Sequence, residues 1–121
     1  MRIIRYHTDI KCVKIAEILP ESDLITSPDD ILDIMAEIGY NGSNKLIIHD
    51  KNLHQDFFDL KTGLAGEILQ KFSNYRMKLA IIRDFSGFKS KSLKDFMRES
   101  NSRGIICFVD SLEKAFKNNT G

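Results

Sequence analysis

Short apolar runs alternate with helical stripes along the chain. The segments "RIIRYH" (2–7) and "KCVKIAEIL" (11–19) are rich in β-branched residues and are separated by "TDI", which predicts an N-terminal β-hairpin. Three further segments, "KLIIHD" (45–50), "RMKLAIIRD" (76–84) and "GIICFVD" (104–110), have a centre that is apolar almost without interruption. Such runs are typical of strands that are buried on both faces of a parallel sheet.

Helical periodicity occupies the segments between these strands. The clearest helix follows Ser27, which offers the side-chain oxygen of an N-cap and stands before Pro28, a residue type favoured at the first helical position. Gly39 or Gly42 is predicted to end this helix. Its inward stripe is predicted to consist of Ile31, Ile34, Met35 and Ile38.

Three more helices follow from the same periodicity. The second is predicted from about Thr62 to Tyr75, the third over residues 90–102, and the fourth after a cap at Asp110, with Glu113 completing a capping box. The apolar residues predicted to point inward are Leu64, Ala65, Ile68, Leu69 and Phe72 in the second helix and Leu93, Phe96 and Met97 in the third.

The alternation of strands and helices predicts an α/β fold. We expect a single domain over residues 1–121, with a mostly parallel sheet of successive β-α units, an N-terminal β-hairpin and about four helices. Right-handed crossovers would place Asp50, Asp84 and Asp110, which end three strands, at one edge of the sheet. Open α/β sheets bind ligands at this carboxyl edge, although aspartates are also common in turns and caps.

Composition narrows the classes of function. The chain has 18 basic and 17 acidic residues and a net charge of +1, which argues against a general nucleic-acid binder. No segment approaches the roughly 20 apolar residues that span a bilayer, and the first residues do not resemble a signal peptide. We therefore expect a cytoplasmic protein without a membrane partner. Cys12 and Cys107 lie in apolar runs, which predicts two buried, reduced thiols.

The polar loop "HDKNLHQDFFD" (49–59) holds two of the three histidines. His49 and His54 with Asp56 or Asp59 are residue types that bind divalent ions, but their spacing matches no HExxH or CxxC motif. We therefore expect no metal and no cofactor. A site at the carboxyl edge that binds a small molecule or a metal ion, or an active site there, remains one hypothesis for the function. Its residues would be His49, Asp50, His54, Asp59 and Asp84.

The start of the second helix, "DFFDLKTGLAG" (56–66), is unusual because glycine is a poor helix former. Thr62 is predicted to cap the helix, and Gly63 and Gly66 to let it approach the sheet closely. Of Phe57 and Phe58, one is predicted to pack against the first turn, and the other either points outward as a partner anchor or is covered by the loop.

Three segments, "FFDLKTGLAGEIL", "KLAII" and "GIICFVDSLEKAF", resemble the STAS domain of anti-sigma factor antagonists. The typical pattern of that domain is an apolar strand, an Asp-Ser-Ser-Gly-Leu-Gly step that opens a helix, and a final strand that leads into a "DSLEEAL"-type helix. The resemblance covers residues 45–117. Three further segments are similar to those of a family of small bacterial proteins known only as a domain of unknown function: "DILDIMAEIGYNG", "LHQDFFDLKTGLAGEILQKFSNYRMKLAI" and "SLKDFMRESN". This second resemblance covers nearly the full length of the sequence.

The STAS resemblance implies a non-enzymatic, regulatory protein-interaction module. In STAS antagonists, the serine before Gly-Leu is phosphorylated by a partner kinase and lies in the partner interface. Thr62 matches that serine and Asp59 matches the aspartate, although the step here has one extra residue and Lys61 replaces a serine. The implied partner surface, with another protein as the partner, consists of Thr62, Asp59, Lys61, Gly63, Phe57 and Phe58.

Overall fold

A computed structural model describes residues 3–8, 11–83 and 91–117. Its five strands form one sheet in the order β1-β2-β3-β4-β5. The strands are β1 (Ile4–Thr8), β2 (Lys14–Ile18), β3 (Lys45–His49), β4 (Lys78–Ile82) and β5 (Ile106–Val109). The helices are α1 (Pro28–Tyr40), α2 (Leu64–Asn74), α3 (Lys91–Arg103) and α4 (Leu112–Lys117). Three short 3-10 turns join β3 to α2: Asp50–Asn52, Gln55–Phe58 and Leu60–Thr62.

The sheet has the predicted mixture of strand directions. β1 and β2 are antiparallel and form the N-terminal hairpin. β2, β3, β4 and β5 are parallel to one another, so their carboxyl ends meet at one edge. The expected α/β fold class, with a mostly parallel sheet, an N-terminal hairpin and four helices, is confirmed within the described residues. No described helix has the length and apolar character needed to cross a membrane.

The two faces of the sheet carry separate apolar cores, because successive side chains of a strand point to opposite faces. On β3, Leu46 and Ile48 pack against α1 and α2, whereas Ile47 packs against α4 on the other face. The buried residues of the helices in the first core are Ile31, Ile34, Met35 and Ile38 in α1, Leu64, Ala65, Ile68 and Phe72 in α2, and Met97 in α3. These agree with the predicted stripes, with Leu69 and Phe96 half-buried beside them. The side chain of Leu93 lies outside the described part.

Helix α1 begins and ends by local rules. The Ser27 hydroxyl accepts a hydrogen bond from the Asp30 backbone N–H at 3.3 Å, and Pro28 is the first helical residue, both as predicted. The helix ends at Tyr40, and Gly42 follows with a positive φ of 86°. Of the two glycines predicted to end the helix, Gly42 is therefore the one in the left-handed conformation.

The start of α2 differs from the expectation at three positions. The N-cap residue is Gly63, in the left-handed conformation with φ 75°, and Thr62 precedes it in a 3-10 turn. Gly66 is exposed, and a Cβ atom there would have no heavy atom within 4 Å, so it does not serve close packing. Ala65, 2% exposed, is the small residue that packs against the core. Gly63 is thus required by its backbone conformation.

Two further expectations were wrong. The N-terminal turn of α4 is capped by Ser111, whose hydroxyl accepts from the Lys114 backbone N–H at 3.2 Å, and not by Asp110 with Glu113. Asp110 instead forms an exposed ion pair with the Lys114 side chain at 2.9 Å. Cys12 is exposed, with a positive φ of 63°, because β2 begins only at Lys14 and Cys12 belongs to the hairpin connection. Both cysteines are free, as expected.

The outer edge of β5 is covered by a side chain. The Asn101 amide of α3 accepts a hydrogen bond from the Phe108 backbone N–H at 2.7 Å and donates one to the Phe108 carbonyl at 3.5 Å. One amide group therefore occupies both outward-facing backbone groups of Phe108, in the manner of a neighbouring strand.

Candidate functional site

A buried carboxylate links two imidazoles at the carboxyl edge of the sheet. Glu17 of β2 accepts a hydrogen bond from each ring: Oε1 lies 2.8 Å from Nε2 of His7, and Oε2 lies 2.7 Å from Nε2 of His49. Its side chain is 5% exposed, against 26% for His7 and 19% for His49. We call these three residues the imidazole cluster. Its members come from β1, β2 and β3, on the face of the sheet that α4 covers. The ring of His7 packs against the ring of Phe116 in α4, with the ring centroids 5.0 Å apart.

The carboxylate of the cluster is held in its ionised form. Burial by itself raises the pKa of Glu17, but the hydrogen bonds from His49 and His7 and the attraction of both rings outweigh burial, so the pKa of Glu17 lies below its ordinary value of 4.5. An ionised Glu17 accepts one N–H from each ring. The three groups therefore form a continuous hydrogen-bonded network across three strands.

The carboxylate oxygens of the cluster are already engaged by the two rings. Each carboxylate oxygen already takes one ring nitrogen at hydrogen-bond distance. Across residues 3–8, 11–83 and 91–117, no group of three or more His, Cys, Asp or Glu side chains has a geometry that could hold a metal ion. The predicted combination of His49 and His54 with Asp59 is not assembled, and the side chain of Asp56 lies outside the described residues.

Asn52 fixes the position of His49 in the cluster. The Asn52 side chain is fully buried, and its Oδ1 accepts a hydrogen bond from the His49 backbone N–H at 3.1 Å. Its Nδ2 donates to the Leu19 carbonyl at 3.0 Å and to the Pro20 carbonyl at 3.4 Å. The amide therefore ties the end of β3 to the end of β2, which carries Glu17, and keeps the two groups in register.

The remaining residues of the predicted ligand edge are distributed around this cluster. Asp50 follows His49 directly and faces Arg83, with Oδ2 and Nε 3.7 Å apart in a partly exposed pair of little energetic weight. His54 is half-buried, and its backbone N–H donates to the Ile25 carbonyl. Asp59 is exposed on the turn before α2. Asp84 lies outside the described residues.

Thr62 and its neighbours form a second candidate surface. The Thr62 hydroxyl donates to the Asp59 carbonyl at 2.9 Å and accepts from the Leu64 backbone N–H at 3.3 Å. The Asp59 carboxylate accepts from the Lys61 backbone N–H at 3.1 Å. Asp59, Lys61, Thr62 and Gly63 are all exposed. We call these four residues the α2 start; they present a hydroxyl, a carboxylate and an ammonium group on one turn.

Of the two phenylalanines before the α2 start, Phe57 belongs to the core. It is 1% exposed and packs against Phe108, with ring centroids 6.5 Å apart. Phe57 therefore points inward and packs beneath the turn. The side chain of Phe58 is outside the described residues.

Sequence reasoning missed two members of the imidazole cluster. His7 and Glu17 lie in the hairpin, which carried no predicted site. A signal was present, because strand alternation puts Ile15 and Glu17 of β2 on one face, and a glutamate on a buried face needs a partner. The partners follow only from the pairing of β1 with β2 and of β2 with β3.

The fold and the site together define an α/β protein with a five-stranded, mostly parallel sheet, a buried carboxylate–imidazole cluster and an exposed threonine turn before α2. The chain belongs to the family described as domain of unknown function DUF4180, whose model matches residues 10–118. No curated protein and no solved structure matches the chain significantly.

Proposed function

We propose that this protein is a STAS-like, non-enzymatic interaction module with a regulatory role in the bacterial cytoplasm, and that another protein binds it at the α2 start. The observation that carries the proposal is the exposed Thr62, whose hydroxyl is held on the surface by the Asp59 carbonyl. The position matches the serine of the STAS pattern. The order of the sheet, with an N-terminal hairpin followed by β-α units, is compatible with that resemblance.

The α2 start is suited to a charge switch. A phosphate on Thr62 would add nearly two negative charges at pH 7. The N-terminal dipole of α2 and the neighbouring Lys61 would stabilise those charges, whereas Asp59 would oppose them. In a contact with another protein, the same charges would be desolvated and therefore costly. Phosphorylation would thus be tolerated by the free protein and would weaken the complex.

A capture experiment tests the proposal. Full-length protein, the Thr62→Asp variant and the matched control Asn74→Asp serve as baits in native lysate, with mass spectrometry of bait and prey. Asn74 is an exposed residue at the other end of α2, so the control adds the same charge to the same helix. We expect a prey that wild type and Asn74→Asp retain and Thr62→Asp loses at least tenfold. A prey retained equally by all three baits would remove the α2 start as the partner surface.

A second candidate function rests on the imidazole cluster. A carboxylate that orients two half-exposed imidazoles is a common arrangement for acid–base chemistry or for binding a polar small molecule. This candidate predicts that a ligand raises the melting temperature of wild type and has no such effect on His49→Ala. A screen with metabolites and divalent cations that produces no shift in wild type would exclude this candidate.

A further inference from the structure

Lys45 is a buried lysine whose side chain contacts helix α4. It is the first residue of β3 and is 2% exposed, and its Nζ donates to the Ala115 carbonyl of α4 at 2.8 Å. Within the described residues, Lys45 forms no ion pair with a carboxylate. Among the described residues, the hydrogen-bond partner of its ammonium group is a neutral carbonyl at the negative end of a helix. A desolvated ammonium group with so little compensation is costly.

The groups around Lys45 modify this cost in opposite directions. The strand register places Lys78 of β4 directly opposite Lys45, and Cys107 of β5 acts on it electrostatically. On the β2 side the neighbour is the apolar Ile15, one residue before the Ala16–Leu46 pair. Of the charged residues of α4, Glu113 and Lys114 are exposed, and the side chain of Lys117 lies outside the described part. Burial, and to a smaller extent Lys78, lower the pKa of Lys45 to about 8 against the opposing effect of Cys107.

Helix α4 depends on this contact more than a long helix would. It has six residues, and isolated helices shorter than about 12–15 residues are marginal in water. Ala115 is fully buried, and Leu112 and Phe116 are half-buried against the sheet. Beneath them lies an apolar patch on the second face of the sheet. The patch consists of Ile15, Ile47, Ala80 and Val109.

We propose that α4 is a proton-linked cover of this patch. In the closed state α4 desolvates the Lys45 amine, and in the open state the amine is hydrated and takes up a proton. An open α4 would return Lys45 to water, where a lysine has a pKa of 10.5. Below about pH 8 the Lys45 amine is therefore charged even in the closed state. As pH rises from 8 towards 10.5, the closed state becomes more stable relative to the open state. With these two values, the opening equilibrium falls about tenfold between pH 7 and pH 9.

Millisecond-mixing hydrogen exchange on the full chain measures this opening. The exchange rate of each α4 amide is divided by its intrinsic exchange rate at the same pH. The exchange rates of the α1 amides report global unfolding. We expect α4 to exchange faster than α1, with an opening equilibrium that falls about tenfold from pH 7 to pH 9. The Lys45→Met variant should show a smaller opening at pH 7 and no such pH dependence. Replacement of the exposed Lys51 in Lys51→Met should leave the tenfold change intact.

Two results would overturn the proposal. The first is exchange of α4 at the rate of α1 at every pH, because α4 would then open only when the whole chain unfolds. The second is the same pH dependence in Lys45→Met as in wild type. Should Lys45→Met not fold, an NMR titration of the Lys45 Cε resonance in wild type decides. A midpoint near 8 that coincides with the change in α4 exchange supports the proposal, and a midpoint near 10.5 contradicts it.

Discussion

Glu17→Gln tests whether the imidazole cluster stabilises the fold. The wild-type carboxylate accepts one N–H from each ring, and a hydrogen bond to a charged group contributes about 1.5–3 kcal/mol. A glutamine keeps one acceptor oxygen, now neutral, and turns an NH₂ group towards the other ring. Removal of a desolvated charge offsets part of the loss. We expect a net decrease in the free energy of unfolding of about 1–3 kcal/mol.

The pH dependence of the same variant carries a definite sign. Because the pKa of Glu17 is lowered in the folded state, the unfolded chain binds more protons between that lowered value and 4.5. The stability that Glu17 contributes is therefore fully present above pH 4.5 and is lost as pH falls through the folded-state value. The difference between wild type and Glu17→Gln should shrink in this acidic window.

Urea denaturation followed by far-ultraviolet circular dichroism, from pH 3 to pH 8, measures both effects. At pH 7 the midpoint of Glu17→Gln should lie roughly 1 M urea below that of wild type. Glu37→Gln, which neutralises an exposed carboxylate on α1, is the matched control and should shift the midpoint by much less. The reasoning fails if Glu17→Gln is as stable as wild type at pH 7, or if its deficit is the same at pH 3.5.

Two other predictions concern backbone conformation and capping. Gly63→Ala should lower the free energy of unfolding by about 1–2 kcal/mol because the φ of 75° at this position disfavours a side chain. Gly66→Ala should raise the free energy of unfolding by roughly 0.8–1 kcal/mol because alanine is the better helix former and its methyl group would meet no heavy atom within 4 Å. Urea midpoints that shift in the same direction for both variants would contradict this assignment. Ser27→Ala should lower the free energy of unfolding by about 1 kcal/mol, because the hydrogen bond from the Asp30 N–H is lost. Thermal melts measure this change, and Ser73→Ala, at an exposed position near the end of α2, is the control.

Local signals predicted helix α1 well, and they did less well where the backbone leaves ordinary conformations. Ser27, Pro28 and the apolar stripe of α1 each act within a few residues, so the sequence specifies them directly. The start of α2 was placed too early because Thr62 looks like a cap, whereas the left-handed Gly63 separates it from the helix. A glycine can serve packing or conformation, and the letters alone do not distinguish the two.

The imidazole cluster depends on the order and register of three strands. His7 and Glu17 are ten residues apart in the hairpin, and His49 is a further 32 residues along the chain. Strand alternation gives the face of each residue, but it does not tell which strands are neighbours or how they align. His49 was identified because it begins the polar loop 49–59, and its partners could be found only from the arrangement of the sheet.

The Asn101 amide has a consequence for self-association. A sheet joins other sheets through the backbone groups of its outer strands, and growth into a fibre requires two such edges on every molecule. At Phe108 one of these edges is already occupied by the chain's own side chain. An incoming strand at this edge would have to displace the Asn101 amide from Phe108 before it could pair there. The bonds from Asn101 to β5 therefore also disfavour the addition of a further strand at Phe108.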